Sequence, residues 1–196
     1  MMHHGLVEHI MYQDMIFGQY LVDDWKRLAA LFADKGMKAI FTGHFHATDI
    51  TQFTSVNDSS IYDIETGALC SFPFAYRFIS LDKKGMKIET RNIAATKNFP
   101  NLAEDSKRIL RSIAENSARD KIKSKGLELS STVLDNFSQL AGHIFIEHVK
   151  GDEEMNDDIK TAIKRIKKDF GLPPGVDSDS LQLDFYPPDN NVELQF

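Results

Sequence analysis

Around Phe99-Pro100-Asn101 the hydrophobic period of this chain changes, and that change constrains its fold more than any other feature. Downstream, apolar residues recur at three- and four-residue spacing. Leu102, Ile109, Leu110 and Ile113 mark a helix running to about Gly126, and Val133, Phe137, Leu140 and Ile144 mark a second. Ile159, Ile163, Ile166 and Phe170 mark a third, stopped by Gly171 and Pro173-Pro174. Each helix carries one apolar stripe, so the three predict a small bundle over 99–171.

Upstream, over 1–98, helix and strand signals mix. Leu21, Trp25, Leu28 and Phe32 line one helix face, with Asp23 as the expected cap and Gly36 as the stop. Met37 to Thr42 then reads as a buried strand ending at Gly43. From Ile50 to Ile93 short strands alternate with tight turns, and Tyr76–Leu81 and Met86–Asn92 form a hairpin about Asp82-Lys-Lys-Gly85. Residues 6–20 show no clean period and read as a pocket-lining loop. The fold class expected is α/β followed by a small all-α bundle. Residues 172–196 read as an acidic, extended tail with one short strand where Leu181, Leu183 and Phe185 alternate.

Composition narrows the function classes. With 42% hydrophobic and 27% charged residues over 196 positions, the chain can bury an ordinary core. Its net charge of −6 is concentrated after 171, where five carboxylates stand without a lysine or arginine. No basic stripe with interleaved aromatics is present to displace counterions, which excludes a nucleic-acid polymer as partner. No apolar run approaches the roughly 18 residues of a membrane span. The single cysteine, Cys70, lies in an apolar stretch and is expected to be a buried, inert thiol.

The chemistry lies with the histidines. Gly43-His44-Phe45-His46 follows the buried strand directly, so in extended geometry the two imidazoles point the same way. His3 also stands at the end of a strand-like stretch before a glycine, Met2-His3-His4-Gly5. Imidazoles arriving from adjacent strand ends suit a metal such as zinc, iron or manganese. An unadorned His-x-His is otherwise an ordinary surface pair. His143 and His148, five apart on a helix, do not share a face and read as core or capping residues.

Phe41-Thr42-Gly43-His44-Phe45-His46-Ala47, with Met2-His3-His4-Gly5-Leu6 about forty residues earlier, resembles the last two metal motifs of the calcineurin-like metallophosphoesterases. The likeness covers about residues 1–95, and the helices after Phe99 are similar to the extra carboxyl-terminal domain of bacterial cyclic-nucleotide-type phosphodiesterases of that family. The resemblance implies part of an α/β/β/α sandwich and a two-metal site that hydrolyses phosphate esters, diesters or monoesters. It implies two divalent ions, manganese, iron or zinc, with His3 and His44 on one and His46 on the other. His9 and Phe45 are candidates for touching a small phosphate-ester substrate, and Asp49 for orienting an imidazole from behind.

The family's Asp-x-His, Gly-Asp-x-x-Asp and Gly-Asn-His motifs do not occur in this chain, and Gly151-Asp152-Glu153-Glu154-Met155 is a superficial echo of the second. The expectation is therefore a carboxyl-terminal portion of such an enzyme, inactive alone, whose position 1 lies inside a larger fold. Apolar surface around Ile40 and Phe41 is then expected to be open, and to be covered by a missing amino-terminal half or by a homodimer. The rival expectation is a noncatalytic scaffold or protein-interaction module.

Overall fold

A computed structural model describes residues 1–170, 183, 184 and 186–196, and these form a mixed α/β protein with two small sheets and five α-helices. After a short helix α1 (Gln13–Phe17) and a single 3-10 turn, α2 (Trp25–Asp34) leads into β1 (Ala39–Thr42), β2 (Asp49–Thr54) and β3 (Ser60–Glu65). The hairpin is β4 (Ala75–Leu81) and β5 (Gly85–Asn92). The bundle is α3 (Leu102–Ser124), α4 (Ser131–Lys150) and α5 (Asp157–Phe170), and β6 (Asn191–Gln195) closes the chain.

The first sheet has the order β1-β3-β2, with β1 parallel and β2 antiparallel to β3. Strand alternation sends Ile61 to one face and Tyr62 and Ile64 to the other. On the first face α2 packs Trp25, Ala29 and Ala33, one helical turn apart, against Ile40 and Ile61. On the second face Ile50, Tyr62 and Ile64 meet Met86 and Ile88 of β5 and Leu194 of β6, so the two sheets share one apolar core.

Several local expectations are corrected. Asp24, not Asp23, precedes α2; it makes no side-chain cap and pairs instead with Arg27. Ile40 is buried under α2 and Phe41 packs against the inter-sheet core, so the surface expected to be open there is covered. Cys70 is exposed, because it lies in the loop before β4 rather than in a strand. Of the strand expected from Leu181 to Phe185, only 183 and 184 are described, and they are not in a strand.

The final strand is Asn191–Gln195, which pairs antiparallel with β5, Met86 opposite Leu194 and Gly85 opposite Gln195. The acidic terminal segment therefore re-enters the fold, with Asp189 and Leu194 buried. Among the described residues no helix is long and apolar enough to cross a membrane.

Candidate functional site

The amino-terminal segment reaches the end of β1 through backbone bonds. Met2 donates to the carbonyl of Phe41 at 3.0 Å, and Gly43 donates to that of His3 at 3.2 Å. Gly5 then bridges to Leu21. These bonds carry His3 and His4 to the strand end from which His44 emerges. The His3 and His44 rings meet edge to face with centroids 4.4 Å apart, while His4 stacks on His44 at 4.4 Å with planes 14° from parallel. Tyr20 adds a fourth ring, 4.8 Å from His44.

The segment after β1 is not extended. It bends at His44 and Phe45, and His46 takes a left-handed φ of 61°. Phe45 explains the bend, since its buried ring packs among Phe17, Tyr20, Phe145 and His148. His46 is exposed, and its charge is felt by His44. Among the described residues, the groups with ligand atoms within 4.8 Å of one another are Asp49–His148–Glu153 and Glu153–Asp184–Asp189; His3, His44 and His46 do not form such a group.

Burial first, then the neighbouring charges of His4, His3 and His46, hold the His44 pKa below its ordinary value. Its Nδ1 is buried with no hydrogen-bond partner. A neutral imidazole with a free buried nitrogen has the protonation state and the vacancy in its bonding that a metal ligand needs. The edge-to-face approach of His3 brings a second ring beside His44, whereas the stacked His4, whose lone pairs lie in a nearly parallel plane, cannot share an in-plane cation with it.

Two other candidates occupy the interior. His9 lines a small pocket, yet its ring is fully buried, with Nδ1 bonded to Asp49 and Nε2 at 3.4 Å from Asp63 and 3.7 Å from Glu65. Burial alone would lower its pKa; Asp63 and Asp49 outweigh burial and raise it well above the ordinary value, so His9 is an imidazolium. Asp63 also accepts from the backbone of Leu6 and Val7 and from Thr42, and the His9 charge helps keep it ionised against burial. Asp49 faces His9 and, at 3.9 Å, His148, rather than the His44–His46 pair.

Sequence reasoning singles out neither Tyr20 as a ring neighbour of His44 nor the acids on β3. Tyr20 and Phe45 also help line an apolar pocket of about 430 Å³ floored by Leu110, Ile113 and Phe145. In comparisons with known proteins, no family model and no curated protein matches the chain.

Proposed function

We propose that the histidine cluster is the carboxyl-terminal contribution to a two-metal phosphoesterase centre of the calcineurin-like kind, with His3 and His44 on one cation and His46 on the other. The observation that carries this reading is the meeting of the His3 and His44 rings across two chain segments at one strand end. The stacking of α2, the mixed sheet and the antiparallel sheet supports its placement as part of an α/β/β/α sandwich.

Divalent cations bound there would polarise a phosphoryl oxygen of the ester. This chain's own residues have narrower tasks. The neutral His44 presents a nitrogen lone pair; His4, stacked on its ring, and Tyr20, 4.8 Å away, hold the ring by contact. Phe45 and Tyr20 wall the apolar pocket beside the cluster, where the organic part of a small phosphate ester finds space. The acids that neutralise paired cations are not in this cluster. Among the described residues no carboxylate joins His3 and His44 in a group of ligand atoms within 4.8 Å of one another, so none is placed there to bridge two cations.

The test is metal uptake by the purified chain beside His44→Ala, with hydrolysis of an aryl phosphodiester followed in parallel. Uptake of Mn²⁺ or Zn²⁺ that falls in His44→Ala, with only trace hydrolysis, is expected. Equal uptake in both proteins would favour the noncatalytic reading, and enzyme-like turnover would require a carboxylate set outside the one described.

A further inference from the structure

A second constellation includes His148, whose ring lies 5.5 Å from that of Phe45, where the sheet meets the helical unit. Asp49, Glu65 and Asp189 are buried, and so is the side chain of Glu153. Asp49 begins β2, His148 sits in the last turn of α4, and Glu153 lies in the loop that follows. One ligand atom from each lies within 4.8 Å of the others. His148 Nδ1 is 2.7 Å from Glu153 Oε1 and 3.9 Å from Asp49 Oδ2.

Acids alone would make no site, but two buried oxygens here lack any partner. Glu65, opposite Asp49 in the β2–β3 register and 1% exposed, has an unpartnered Oε1. The charges of His9, His148, Asp63 and Asp49 act on it, which sets it beside the same group. Glu153 Oε2 is likewise unpartnered. A buried carboxylate oxygen without a donor is unfavourable, and a proton or a cation must offset the excess negative charge. The cations that act on these acids are His9, bonded to Asp49 and 3.7 Å from Glu65, and Arg77, whose guanidinium makes no hydrogen bond; neither donates to Glu65 Oε1 or Glu153 Oε2.

We propose that Asp49, His148 and Glu153, backed by Glu65, bind one divalent transition-metal cation, Mn²⁺ or Zn²⁺, that clamps the helical unit to the first sheet. One imidazole nitrogen among carboxylate oxygens suits these ions better than magnesium or calcium, which take all-oxygen sets. A pocket of about 240 Å³ that reaches Asp49 past Glu8 and Met11 gives an ion its way in. Gly151 permits the close approach of the two units, since a Cβ there would stand 2.3 Å from the Thr48 carbonyl oxygen. The site is separate from the His3–His44 cluster and does not depend on the function proposed for it.

The experiment uses the full chain with His44→Ala and His46→Ala combined, stripped with chelator and titrated with MnCl₂ or ZnCl₂ by calorimetry. One equivalent bound, with a raised thermal midpoint, is expected; adding Glu153→Gln, which keeps size and hydrogen-bonding capacity, should weaken binding at least tenfold. No binding, or binding unchanged by Glu153→Gln, overturns the proposal. In the unaltered chain, Mn²⁺ should broaden the amide NMR signals of Asp49, Glu65, His148 and Glu153. Broadening confined to residues 3–5 and 43–46 would equally overturn it, and this arm does not rely on the double variant folding.

Discussion

His4 lies nearly flat on His44, with ring planes 14° apart, while His3 meets the same ring edge-on. Two imidazoles that close cannot both carry charge cheaply, and burial adds to the penalty at His44. The His44 ring signals are therefore expected to titrate below the ordinary 6.5 in a proton NMR titration. His4→Ala both uncovers the ring and removes a neighbouring charge, so it should move that midpoint upward. A midpoint that stays put would show that His4 does not set the protonation of His44.

The buried imidazolium of His9 sets a pH dependence of stability. Its pKa is raised on folding by Asp63 and Asp49, against burial, while Glu65 stands beside it with a pKa that burial raises. A native state that holds a proton the unfolded chain releases gains stability below about pH 6.5, and loses it as pH rises through the raised value. The thermal midpoint in chelator should accordingly fall between pH 6 and 9. His9→Ala at pH 6 leaves two buried carboxylates without their cation and should cost about 3–5 kcal/mol in urea unfolding.

Asp189 separates hydrogen bonding from charge. It accepts from the backbone N–H of Ile50 at 2.7 Å and of Asp152 at 2.8 Å, while burial and then Asp49 push its pKa up to about 9. Both of its oxygens are acceptors, so asparagine, whose Nδ2 is a donor, can satisfy only one of the two N–H groups. Asp189→Asn should cost about 1–3 kcal/mol and Asp189→Ala, which strands two buried donors, about 2–4 kcal/mol. A loss below about 0.5 kcal/mol in Asp189→Asn, measured by urea unfolding at pH 7, would mean that one of the two bonds contributes nothing.

Gly85 is needed for the pairing of β5 with β6. A Cβ at this position would stand 2.1 Å from the Leu194 carbonyl oxygen, a backbone atom of a paired strand that cannot swing aside. Gly85→Ala should cost about 1–3 kcal/mol and weaken amide-exchange protection at residues 191–195 before it affects α3 to α5.

What could be read from the sequence follows contact range. The helices α3, α4 and α5 fall where long apolar stripes place them, and the hairpin falls where Asp82-Lys-Lys-Gly85 turns, its Asp82 carboxylate accepting from Lys84 and Gly85. Both patterns depend on neighbours in the chain. β6 escapes notice because five residues after a proline pair carry little period, and its partner β5 lies about a hundred residues earlier. The meeting of His3 with His44 was legible from the strand–glycine–histidine pattern, but the bend at Phe45 was not, because it is imposed by rings from α1, the 3-10 turn and α4.

The acids of β3 show the opposite trap: Asp63 and Glu65 alternate with Tyr62 and Ile64 as a solvent face would. They are instead buried against His9, whose position more than fifty residues away gives no local sign of the pairing.

The pairing of β5 with β6 also changes what the helical unit is. Its three helices lie in sequence between β5 and a strand hydrogen-bonded to β5, Thr90 donating to the carbonyl of Asn190 at 2.9 Å. In topology the bundle is an insertion within a sheet rather than an appendage after it. Cutting the chain at residue 98 would strip Leu194 from the core between the sheets and bare Met86 and Ile88. Excising the helices while keeping the sheet calls for a short splice from β5 directly to residue 190, and that shorter protein, not a truncation, isolates the two sheets.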